Sequence, residues 1–120
     1  MENPNNFSVI YSFKIDSEFE LEFIESWQEL TNLIYKFEGS LGSRLQKVNS
    51  NLFLGYALWP NKKKFYNASN NENDEIELLK QKQKKYVVEV KRIFESEIIS
   101  DLIMNSSYND NLYNENKLNV

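Results

Sequence analysis

The stretch "FSVIYSFKI" (Phe7 to Ile15) alternates along its length. Phe7, Val9, Tyr11, Phe13 and Ile15 fall on one face and Ser8, Ser12 and Lys14 on the other, with Ile10 the one apolar exception. A period of two predicts a strand. The period then changes: Phe23, Trp27, Leu30, Ile34 and Phe37 recur every three or four residues, which predicts a helix with a single apolar stripe. Ser17 and Glu20 stand at capping-box spacing, and Glu18 and Glu20 suit the positive end of the helix dipole. Gly39 is placed to stop the helix in a left-handed conformation.

"SLGSRLQKV" (Ser40 to Val48) sets Leu41, Ser43, Leu45 and Lys47 opposite Gly42, Arg44 and Gln46, and "NSN" then supplies turn residues, so a second strand and a hairpin are expected. "LFLGYALW" (Leu52 to Trp59) is apolar on both faces and ends at Pro60. A third strand of this kind is expected to be covered on each side, with Phe53, Ala57 and Trp59 toward one cover and Leu54, Tyr56 and Leu58 toward the other. "NKKKFYNAS" predicts a short helix, and "NNEND" a polar connection. A second long helix is expected from Glu75, its apolar face traced by Ile76, Leu79, Tyr86, Val87, Val90 and Phe94, followed by a fourth strand over "ESEIISDLIM" (Glu95 to Met104). Residues 105–120 are rich in Asn and poor in apolar side chains, which predicts a mobile tail after a single domain spanning 1–104. The order β-α-β-β-α-β implies an α+β chain of ferredoxin-like type, an antiparallel sheet with its helices on one face. A strand that is apolar on both faces then asks for cover on the helix-free side, and a second copy of the chain, a homodimer, is the expected cover.

Composition narrows the chemistry. With 120 residues, 41% hydrophobic, 14% aromatic and 27% charged, the chain has material for one core and a wet surface. It contains neither cysteine nor histidine. Disulfides, thiolate nucleophiles, Ser-His-Asp triads, histidine-ligated metals and a histidine-bound haem are thereby excluded, and no metal site is expected. A net charge of −4 argues against a nucleic-acid partner. No stretch approaches a membrane span, and the first residues show no basic segment leading into an apolar run, so a cytoplasmic location without membrane contact is expected.

Two of the three glycines fall in "EGSLGSRL" (Glu38 to Leu45). A phosphate cradle needs backbone N–H groups that lead into a helix, usually with a Lys, whereas this glycine follows a helix and leads into a strand. Gly39 as a helix stop and Gly42 as a bend account for the stretch. The lysines of "KKK" (Lys62 to Lys64) and "KQKQKK" (Lys80 to Lys85) read as solvated faces paired with Glu75, Glu77 and Glu89.

Taken together, "FIESWQELT" (Phe23 to Thr31), "EGSLGSRLQ" (Glu38 to Gln46) and "YALWP" (Tyr56 to Pro60) resemble the antibiotic biosynthesis monooxygenase family, over Phe7 to Phe65. The resemblance implies a dimeric α+β barrel, two ferredoxin-like subunits packed sheet to sheet, with a pocket between each sheet and its helices. It also implies a cofactor-independent oxygenase acting on a hydrophobic aromatic substrate, with no cofactor. Gln46 stands where relatives often have histidine and Leu58 where glutamine is common, and the haem-degrading branch would need an axial histidine that this chain lacks. On this reading Arg44 and Tyr56 are the candidate catalytic residues, Arg44 to stabilise a developing phenolate or enolate and Tyr56 to orient it. Tyr11, Trp27, Trp59 and Phe65 are the candidate walls of the substrate site. Each has a packing alternative: Trp27 as core on the helix stripe, Trp59 at the dimer or strand end, Arg44 paired with Asp101 or another carboxylate. A non-catalytic ligand-binding or interaction module of the same fold is the rival function.

Overall fold

The computed structural model describes residues 5–70 and 73–103. Met104 and the tail at 105–120, expected to be mobile, lie outside the described residues. The elements are β1 (Phe7–Ile15), α1 (Glu20–Glu38), β2 (Gly42–Asn49), β3 (Leu52–Trp59), α2 (Lys62–Asn67), α3 (Asp74–Gln83) and β4 (Val87–Glu97). The four strands form one antiparallel sheet in the order β2-β3-β1-β4, with the helices on one face, which is the ferredoxin-like α+β arrangement.

The capping box expected at Ser17 and Glu20 gives way to a tighter entry. Asp16 is the cap: its carboxylate accepts from the Glu18 N–H at 3.0 Å, and Ser17–Phe19 form one turn of 3-10 helix before α1 begins. At the other end Gly39 stands at φ 84°, in the left-handed region that only glycine enters cheaply, and stops α1 as expected. Gly42 also has positive φ and opens β2, which starts two residues later than the sequence suggests.

The second long helix is shorter than its periodicity predicts, and the fourth strand is earlier. α3 ends at Gln83, and after a turn closed by Tyr86 N–H donating to Gln83 C=O, Val87 enters β4. The reason lies in two irregularities of the β1–β4 pairing. Ile15 faces Val87 and Lys14 faces Glu89, so Val88 is an extra residue; Tyr11 faces Arg92 and Ile10 faces Phe94, so Ile93 is another. Each bulge adds one residue to a period of two, and apolar positions at three- and four-residue spacing then imitate a helix.

Two apolar clusters hold the helices to the sheet. Phe7, Val9, Trp59 and Ala68 form one; Phe13, Ile15, Phe23 and Phe53 form the other, with Phe23 fully buried between Phe13 and Phe53 at 5.3 Å from each ring. Gly55 on β3 lies beneath the second cluster. A Cβ there would stand 2.8 Å from Phe13 Cε2, so only glycine lets the ring lie on the strand. Gly55→Ala is therefore expected to lower stability by about 1–3 kcal/mol, the usual cost of overpacking a core. A urea denaturation midpoint equal to that of the wild type would show that Phe13 yields freely.

Candidate functional site

The sheet face toward the helices can be read as rows of paired residues. Lys47, Phe53, Phe13 and Val90 form one row, Leu45, Gly55, Tyr11 and Arg92 the next, and Ser43, Ala57, Val9 and Glu95 the third. Bulk therefore stands at the Phe53–Phe13 end and again at Trp59–Phe7, whereas β3 offers only Gly55 and Ala57 between them. The helix α1 bridges both ends and cannot sink into the gap. A cavity of about 270 Å³ remains. Gly55, Ala57, Ser43 and Tyr11 line it from the sheet, Trp27, Leu30, Thr31 and Ile34 from α1, and Phe13 and Trp59 from the strand ends. Lys80 and Gln83 of α3 and Val90 of β4 complete it.

The surface is chiefly apolar, with a few polar groups of definite character. The indole N–H of Trp59 and the side-chain amide nitrogen of Gln83 are buried and have no hydrogen-bond partner among the described residues. Both residues line the cavity, but these two nitrogens are closed off from it by neighbouring atoms, and each unmade buried hydrogen bond costs about 1–3 kcal/mol. The Tyr11 hydroxyl faces Arg92, its neighbour across the strand pair. Burial raises its pKa above the ordinary 10.0, and the Arg92 charge and hydrogen bond oppose that rise. Tyr11 is thus a protonated donor at neutral pH.

Arg92 does not itself line the cavity; beside Tyr11 it belongs to a small polar chain on β4. Its guanidinium donates to Glu95 at 2.9 Å and lies 5.1 Å from the Phe65 ring centroid, and the Tyr66 hydroxyl donates to the other Glu95 oxygen. These bonds, first that from Tyr66 and then that from Arg92, hold the Glu95 carboxyl below its usual range. The same contacts raise the Tyr66 and Arg92 pKa values, so Tyr66 stays protonated and Arg92 charged.

Of the residues expected to form the site, Tyr11, Trp27 and Trp59 meet at the cavity. Phe65 does not line it; it stacks edge-on behind Trp59 at 5.5 Å and against Phe7 at 5.8 Å, and so braces the wall. Arg44 and Tyr56 pair with each other across β2 and β3 on the opposite face of the sheet. There the Arg44 guanidinium lies 6.0 Å from the Tyr56 ring centroid, and Asp101 instead accepts from the Ile103 N–H. The sheet itself separates this pair from the cavity. Arg92 is the polar residue that the sequence reading missed, and the signal for it was a basic residue on an inward strand position, hidden by the helical reading of that stretch.

Among the described residues no group of three or more carboxylates could hold a metal ion, and no helix is long and apolar enough to cross a membrane. No family model matches the sequence, and no curated relative does. Solved structures are similar in fold. SnoaB of Streptomyces nogalater, a cofactor-independent oxygenase, superimposes with a TM-score of 0.66 at 11% identity, over 82% of this chain and 98% of its own. A Nitrosomonas europaea protein named as an antibiotic biosynthesis monooxygenase gives 0.67 at 10% identity, over 82% and 95%. One of the same name from Bacteroides thetaiotaomicron gives 0.65 at 17%, over 84% and 97%. At these identities the likeness is one of architecture: the chain has the fold of the antibiotic biosynthesis monooxygenases.

Proposed function

We propose that the chain is a cofactor-independent monooxygenase of a small, electron-rich hydroxylated aromatic. The observation that carries this reading is an apolar cavity that holds a protonated tyrosine backed by an arginine. At about 270 Å³ the space suits one or two rings rather than an extended polycycle. The fold shared with an oxygenase of this type adds support.

The chemistry asks little of the protein. A dihydroxyarene releases a hydroxyl proton to water; the Tyr11 hydroxyl and the nearby Arg92 charge stabilise the resulting oxyanion. The electron-rich ring transfers one electron to O₂, and the radical pair joins to form a C–O bond. The hydroperoxide then loses water and leaves a carbonyl, so that a ring CH₂ in the keto form plus O₂ gives C=O plus H₂O. O₂ is the sole oxidant, and a dry apolar wall protects the intermediate. A non-catalytic binding module draws on one observation: among the described residues no carboxylate lines the cavity, and the chain has no histidine to act as a base.

The face that bears Arg44 and Tyr56 has a separate role in this proposal. Ile10, Leu52, Leu54, Tyr56 and Leu58 are half-buried there, Phe94 is 64% exposed, and a second copy covers them to form a homodimer.

Oxygen uptake with 1,4-dihydroxynaphthalene is expected to exceed the uncatalysed rate. Arg92→Gln should lower the enzymatic part about 10²-fold, and Arg44→Ala should leave the chemical step unchanged. Loss of turnover in Arg44→Ala with dimers intact would move the chemistry to the other face. Folding should also report the buried tyrosine. Folded Tyr11 ionises above 10.0 and unfolded tyrosine near it, so below 10.0 both states are protonated and stability falls as pH rises beyond it. Tyr11→Phe is expected to remove that part of the alkaline loss in urea midpoints; an unchanged slope would place Tyr11 in water. Sedimentation equilibrium should give twice 14.3 kDa, and Leu54→Glu should return the 14.3 kDa species.

A further inference from the structure

Along the inner face of β3, Phe53, Gly55, Ala57 and Trp59 follow one another, and Trp27 of α1 comes down upon Gly55. The indole Nε1 would lie 3.7 Å from a Cβ at that position. On the Ala57 and Trp59 side of this ring is the cavity described above. On the Phe53 side is a second space of about 340 Å³, lined by Ile24, Gln28, Leu45, Lys47 and Phe53. Trp27 and Ser43 line both spaces. One half-buried indole thus stands between the two spaces.

We propose that the space beyond Trp27 is a second ligand subsite, which takes the outer rings of a larger fused aromatic when the indole swings aside, and that Trp27 sets the size of ligand admitted. The inference rests on the cavity being the ligand site. The chemistry of the subsite fits such an occupant. Leu45 and Ile24, both half-buried, supply apolar contact over the edge of buried Phe53, while Gln28, Ser43 and Lys47 offer donors to a ring-borne oxygen. Lys47 Nζ donates to the Glu20 carboxylate of α1 at 2.7 Å, on the solvent side of this space. Trp27 is only half-buried, and rotation about its side-chain bonds is the motion that the proposal requires.

The test is ligand size, read by probe fluorescence with purified full-length protein. Two-ring 2-naphthol and four-ring 1-hydroxypyrene are titrated into the wild type, Trp27→Ala, Trp27→Leu and the double variant Trp27→Ala/Leu45→Trp, which fills the subsite from its far side. Trp27→Ala is expected to tighten 1-hydroxypyrene about tenfold or more relative to 2-naphthol, Trp27→Leu to do so in part, and the added Trp at position 45 to cancel the gain. Equal changes for both probes, or a gain that persists in the double variant, would overturn the subsite. Should Trp27→Ala fail to fold by circular dichroism, the Leu variant with and without Leu45→Trp decides in the same way. Absence of oxygen uptake by the wild type would count against the oxygenase reading alone, because binding is measured without turnover.

Discussion

Small side chains in the middle of a sheet govern this molecule. β3 places Gly55 and Ala57 between Phe53 and Trp59, and β2 sets Ser43 beside Ala57. A helix laid across such a surface rests on the bulky ends. α1 does so through Phe23 at one end and Ile34 at the other, both packed into the clusters that close those ends. The gap between them is the cavity, and its length follows from strand geometry, since alternate residues on one face are about 6–7 Å apart. Larger residues in place of Gly55 and Ala57 would join the two clusters into one core and leave no site. The absence of a side chain at Gly55 thus serves packing, through Phe13, and leaves the floor on which Trp27 stands.

The same strand explains why neighbours in sequence have different fates. Ala57 and Trp59 face the helices; Tyr56 and Leu58 face away, and Arg44, paired with Tyr56, goes with them. Parity alone forbids Tyr56 from sharing a cavity with Trp59. The candidate catalytic pair and the candidate aromatic walls were therefore incompatible on one face, and the strand pattern contained that information before any coordinates. In the proposed function this becomes a division of labour across the sheet, with the proposed ligand chemistry on the helix side and the proposed self-association on the other.

Much of the fold was legible where one period ran unbroken. β1 and β3 match the expected bounds to the residue, the apolar stripe of α1 holds from Phe23 to Ile34 whereas Phe37 at its end is exposed, and Gly39 ends that helix for the reason given. Legibility failed where local structure broke the period. Asp16 displaced the expected cap because a carboxylate one residue earlier reaches the Glu18 N–H directly. The two extra residues in β4, Val88 and Ile93, gave a strand the spacing of a helix. That error concealed Arg92, since on a helix it would have been one more solvated charge, whereas on β4 it faces Tyr11.

In the proposed function Arg92 sets the electrostatics of the site through its contact with Tyr11. A tyrosine buried in an apolar wall resists ionisation, and an arginine beside it lessens that resistance without supplying a base. Glu95 keeps the arginine in place and shares its charge, while Tyr66 occupies the second carboxylate oxygen. With both oxygens engaged and its pKa lowered, Glu95 is a poor proton acceptor for a guest. The site therefore stabilises negative charge more readily than it creates it. Under the proposed function, a ligand suited to it would bring an acidic hydroxyl of its own, and that requirement favours electron-rich phenols and hydroquinones more sharply than cavity shape does.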